Sequence, residues 1–214
     1  MSLCFDITAL CVSLIMLFTY YIRRNIFMKS GYYYSIYLGL LILFSIAEIF
    51  LDLHTEALLV LTTRTWYITR ILGIFLAYFL TYIILRYFLA VMSVRRLGKA
   101  LGIVIVIYIV IMTSLIVTTP FTELLLGFEN GEVVRGPLYL VPYYVVLFTF
   151  AIILIAAFLF RDKLSKSGMI VVIVSVMILC FAGAWQVFFT EKLGIKLFAY
   201  CYMIVGMLLY PEAS

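Results

Sequence analysis

Apolar positions run in seven blocks, at residues 7–22, 33–53, 66–92, 101–119, 138–160, 168–189 and 195–210, and most charges fall between them. A helix crossing bilayer hydrocarbon needs about 20 such residues, so seven spans consume roughly 140 and leave short loops with no room for a second folded domain. The pattern predicts an all-α polytopic bundle over residues 1–210 and a short tail at 211–214. Arg23 and Arg24 stop the first block, Lys29 and Gly31 precede the second, and His54 and Glu56 close it. An outer loop at 55–65 follows, apolar over 57–61, with Arg64 in front of the third block. Pro120 is expected to end the fourth helix, because it has no amide N–H to continue the ladder. The longest connection, 121–136, carries Glu123, Glu129, Asn130, Gly131, Glu132 and Arg135, and reads as an exposed loop with a turn at 129–131. Pro142 falls where an early helical turn tolerates it. A short turn at 191–194 joins the last two spans.

Composition narrows the class. The chain is 67% hydrophobic and 12% charged, with a mean hydropathy of +1.26, whereas soluble domains are about 45–50% apolar and about 25% charged. The net charge of +5 does not point to nucleic acid, since the basic residues are scattered through short loops. Their distribution sets orientation instead. Arg23, Arg24, Lys29, Arg95, Arg96, Lys99, Arg161, Lys163 and Lys166 fall on one side, against Arg64, Arg135, Lys192 and Lys196 on the other. The richer side is expected to be cytoplasmic. No basic residue precedes the first block, so it reads as an uncleaved span with the N-terminus outside; seven crossings then place the C-terminus in the cytoplasm. Cys4, Cys11, Cys180 and Cys201 lie in or beside apolar runs with no metal or redox spacing, and read as packing residues.

The same residues argue against catalysis. His54 is the sole histidine, Asp occurs only at positions 6, 52 and 162, and no zinc-protease, Ser–His or phosphate-cradling motif is present, so no enzyme, cofactor or metal centre is expected. His54 reads as an interfacial residue, with proton sensing as the alternative. A retinal protein needs a lysine in mid-span, and Lys196 stands at the outer start of the seventh, where a snorkelling side chain is the ordinary reading.

Charges inside a bilayer are costly and usually face the bundle interior. Glu48 lies about five residues from the outer end of the second span and Arg70 about four residues into the third, so at roughly 1.5 Å per residue their depths nearly match and they are placed to pair. Trp185 and Gln186 of the sixth span, Tyr143 and Tyr144 of the fifth, Tyr200 of the seventh and Trp66 of the third reach the same level. They form either an interfacial aromatic belt or the lining of a shallow, outward-facing ligand site. Small residues such as Gly73 and Ala77 permit close helix packing within one chain or in a homodimer.

The outer loop reads Glu132-Val133-Val134-Arg135-Gly136-Pro137-Leu138-Tyr139, followed by Tyr143 and Tyr144. With Glu48 late in the second span, this resembles the N-terminal seven-helix sensor region of bacterial signalling proteins, the kind that precedes diguanylate cyclase (GGDEF) or histidine kinase output domains. In those proteins a Gly-Pro-Leu-aromatic step leads into helix five. Here Gly136 is expected to supply an unusual backbone angle, Pro137 to start the helix and Tyr139 to anchor at the interface. The resemblance implies a receptor in the cell membrane that binds a small extracellular or membrane-borne ligand and signals to a cytoplasmic domain, either covalently attached beyond Ser214 or separate. The competing reading from residues alone is a small transporter or channel, and a third is a structural membrane partner.

Overall fold

The computed structural model describes residues 2–23, 29–56, 58–59, 62–92, 110–129, 132–188 and 196–213. These form seven helices: α1 Ser2–Arg23, α2 Lys29–Thr55, α3 Thr63–Val91, α4 Val110–Thr122, α5 Val141–Leu159, α6 Lys166–Phe188 and α7 Phe198–Ala213. Five of them, α1, α2, α3, α5 and α6, are long and apolar enough to cross a membrane; α4 and α7 are shorter apolar helices. Exposed side chains such as Ile15, Phe18, Ile22, Phe148, Ile155, Phe158, Ile170 and Met177 make the outside as apolar as the interior. Water could not solvate that surface, and lipid can; this is a membrane protein.

α2 packs on α1, α3 and α7; α7 also touches α1 and α6, and α5 bridges α3 to α6. Ring contacts and hydrogen bonds fix which ends meet. Tyr34 near the start of α2 lies 5.3 Å from Tyr20 late in α1, 6.3 Å from Tyr87 late in α3 and 6.1 Å from Tyr210 late in α7. At the opposite end Ser2 hydrogen-bonds Asp52, Phe5 packs 5.1 Å from Tyr200, and Tyr67 donates to the carbonyls of Thr119 and Leu126. The starts of α1, α3, α5 and α7 therefore share one end with the finishes of α2, α4 and α6.

The half of the bundle away from Ser2 is closed by tyrosines. Tyr34 donates to Gly206 O at 3.1 Å and Tyr87 to Leu209 O at 3.0 Å, Tyr37 donates to Tyr202 O, and the Tyr202 hydroxyl meets Thr81 Oγ1 at 2.6 Å. Each of these four tyrosine hydroxyls thus finds a partner, which removes the cost of placing it among Leu38, Leu41, Leu80 and Ile84. Gly206 lets the Tyr37 ring lie against α7: a Cβ there would stand 3.0 Å from Tyr37 Cε1. Gly206→Ala is expected to destabilise the bundle by about 1–3 kcal/mol through overpacking, despite alanine's better helix propensity. Thermal unfolding in detergent checks this; a stabilised variant would show that the contact is loose.

Four features depart from the sequence expectations. The fourth helix runs two residues past Pro120, with the Thr119 and Thr122 hydroxyls bonding the carbonyls of Leu115 and Thr118 in its last turns. The segment after it is a β-hairpin rather than an open loop, β1 Leu126–Glu129 antiparallel to β2 Glu132–Arg135, paired from Leu126↔Arg135 to Glu129↔Glu132. The expected turn residues Asn130 and Gly131 lie outside the described residues, as do 101–109 and the 191–194 turn; Asn-Gly between strands is the strongest short hairpin signal. Gly136 does not adopt a left-handed backbone; it is required because a Cβ would stand 2.3 Å from Glu123 O and 2.4 Å from Leu124 O. Pro137 belongs to a turn, and α5 begins at Val141 with Pro142 in its first turn.

Candidate functional site

The end of the bundle that holds Ser2 carries a group of ionisable side chains. Glu48 and Asp52 are one helical turn apart on α2 and so share a face. Lys196, just before α7, lies 2.6 Å from Asp52 Oδ1 and 3.2 Å from Glu48 Oε2. Ser2 Oγ donates to the other Asp52 oxygen, and Asp6, 1% exposed on the same face of α1, faces Glu48, Asp52 and Lys196. Side-chain exposures of 13% for Lys196, 11% for Glu48 and 3% for Asp52 remove these charges from solvent. Lys196 is thus a buried ion-pair partner rather than a snorkelling interfacial residue.

Beside the cluster are two adjoining cavities. The inner one, about 70 Å³, is bounded by Glu48 and Phe44 of α2, Arg70, Gly73, Ile74 and Ala77 of α3, Tyr139, Tyr143 and Val146 around α5, Gln186 of α6 and Phe198 of α7. The outer one, about 280 Å³, is bounded by Leu51, Thr55, Trp66, Arg70, Leu126, Val134, Arg135, Tyr139, Gln186 and Lys196. Arg70, Tyr139 and Gln186 border both, so the two cavities share a wall.

Local structure explains these positions. Gly73 is one turn after Arg70 and presents no side chain where Glu48 Oε1 passes; a Cβ would stand 3.3 Å from that oxygen. The Gly136 contact folds the hairpin base against residues 123–125, with Gly136 N–H donating to Leu125 O at 2.9 Å and Leu138 N–H to Leu124 O at 2.8 Å. That fold buries Leu125, Leu126 and Tyr139; Leu126 and Tyr139 pack with Tyr67, and all three wall the cavities. The Arg135 guanidinium stands 4.6 Å above the Tyr139 ring, and the Tyr139 and Tyr143 hydroxyls are 3.2 Å apart. Tyr139 is thus a buried wall residue rather than an interfacial anchor.

Of the residues singled out from sequence, Glu48, Arg70, Tyr139, Tyr143 and Gln186 surround the inner cavity, and Trp66 lines the outer one. Tyr144 and Trp185 do not. Each is next in sequence to a cavity residue and so turned by about 100° around its helix. Tyr144 is 64% exposed, and the Trp185 ring packs tilted against Phe181 at 5.8 Å. Tyr200 packs on Phe5. The pairing expected for Glu48 also differs: its ion-pair partner is Lys196, while Arg70 hydrogen-bonds Tyr139 and faces Glu48 and Tyr143 at longer range. Asp6, Asp52 and Lys196 were absent from the expected constellation. The four-residue spacings Ser2/Asp6 and Glu48/Asp52, each placing two polar groups on one helical face, were the signal available for them.

Among the described residues no group of histidine, cysteine or carboxylate side chains has metal-binding geometry. Set beside family models, curated proteins and solved structures, the chain matches none.

Proposed function

We propose that this chain is a sensor of the cell membrane: seven crossings, N-terminus outside and C-terminus in the cytoplasm, binding a small ligand in the Arg70 cavities and passing a conformational change to a cytoplasmic signalling domain. The observation that carries this reading is the asymmetry of the bundle. One end holds two adjoining cavities with convergent polar groups; among the described residues the other is packed with interlocked tyrosines and leucines. A receptor needs an opening on one side only, whereas a transporter, the competing reading, needs polar access from both. The lysine and arginine distribution supports a cavity end that faces outside. α7 is suited to carry the signal: Phe198 at its start touches the inner cavity, and tyrosines of α2 and α3 grip its far half through the carbonyls of residues 202, 206 and 209. A ligand that shifts Phe198 therefore acts on a rod already coupled to two neighbours.

Gly73→Val puts two methyl groups into the inner cavity beside Glu48. In a small-molecule screen read by thermal stability, a ligand at a hundred times its Kd should add about 2.7 kcal/mol to the native protein. Gly73→Val should lose that increment while remaining folded. Uptake of the same molecule into liposomes containing only this protein would replace the sensor reading with the transporter.

A further inference from the structure

The outer cavity has an unusual charge balance for a chain with so few charges. Among the described residues its wall contains three cationic side chains, Arg70, Arg135 and Lys196, and no carboxylate. Lys196 is already matched by Glu48 and Asp52. Arg70 differs: among the described residues no carboxylate lies within ion-pair distance of it, although it is withdrawn into the bundle between two cavities. A guanidinium so placed lacks the direct counter-ion that buried charges ordinarily hold. Arg135, fixed above the Tyr139 ring, borders the same space and limits how far an anion could sit from Arg70.

The inner cavity has the opposite character. Phe44, Ile74, Ala77, Val146 and Phe198 line it, and its volume of about 70 Å³ has room for roughly five water-sized groups. Glu48 forms part of its wall, and a negative headgroup would be repelled from that position.

We infer that the ligand is a small amphiphilic anion, its carboxylate or phosphate held by Arg70 and Arg135 in the outer cavity and its short apolar chain inserted into the inner one. This deepens the sensor reading and rests on it. A planar guanidinium fork matches either oxyanion in two parallel hydrogen bonds, which an ammonium or a hydroxyl group on the same chain would not receive.

The test is thermal unfolding of the full chain in a neutral detergent with four probes of equal chain length: hexanoate, hexyl phosphate, hexylamine and 1-hexanol. The expected result is a saturable rise in Tm with the two anions and none with the amine or alcohol. The concentration needed should increase about tenfold to a hundredfold in Arg70→Gln and in Arg135→Gln; the second variant and the four-probe series stand even if the first fails to fold. Repeating the series in nanodiscs of phosphatidylcholine, with and without phosphatidylglycerol, separates the two sources of the same chemistry. A hexanoate response in both supports a soluble anion, and stabilisation by phosphatidylglycerol that hexanoate competes away supports a lipid headgroup. Equal or stronger stabilisation by hexylamine would overturn the anion assignment and leave the ligand cavity standing. Silence from all four probes, in native protein and in both lipid mixtures, would overturn the anion assignment; if the small-molecule screen is silent too, the sensor reading falls with it.

Discussion

Replacing Lys196 by Met should destabilise the protein by about 3–5 kcal/mol, the range for removing one partner of a buried ion pair. The reason is what remains: Glu48 and Asp52, 11% and 3% exposed at their side chains, would face each other and Asp6 with the cluster's ammonium gone. A second change distinguishes this from a packing defect. In Lys196→Met combined with Asp52→Asn the excess negative charge falls by one, and much of the lost stability should return. A cavity left by the lysine stem would not be repaired by that substitution. Chemical denaturation of both variants checks these points.

Gly136→Ala should be the most damaging single-methyl change in the hairpin. The added carbon would stand 2.3 Å from one backbone oxygen and 2.4 Å from another, and neither belongs to a side chain that could turn away. Overpacking typically costs about 1–3 kcal/mol, and a collision with fixed backbone belongs at or above the top of that range. The loss should be local. The hairpin base would separate from residues 123–125, breaking the Gly136–Leu125 and Leu138–Leu124 hydrogen bonds and loosening Leu125, Leu126 and Tyr139 around the cavities. Amide hydrogen exchange should therefore accelerate over 124–140 while the tyrosine-rich half keeps its protection. Uniform acceleration across all helices would show that the hairpin is part of the global fold instead.

These two sites show what sequence can and cannot convey here. The long helices were legible because bilayer thickness imposes a length and composition on each span, so α2 and α3 are found within a few residues of their bounds. Glu48 and Arg70 were legible as a pair of depths, since rise per residue converts position into height. Their partners were not. Which cation Glu48 meets depends on how α7 is rotated and how far Lys196 stands before it, and those are outcomes of packing. Asp6 stands just before the apolar run that begins at residue 7, yet α1 starts at Ser2 and carries it into the core. Gly136 was noticed as part of a motif, but its reason was steric rather than torsional, and only the approach of residues 123–124 reveals that.

The proposal as a whole is tested most directly by which face of the membrane reaches the cavity. In a background lacking the four native cysteines, single cysteines at Gln186, beside both cavities, and at Thr81, within the tyrosine-filled half, are treated in intact cells with a membrane-impermeant maleimide and then, after permeabilisation, from inside. The account predicts rapid labelling at 186 from outside alone, slowed by any ligand that raises Tm, and no labelling at 81 from either face. Labelling at 81, or at 186 only from the cytoplasmic side, would contradict it.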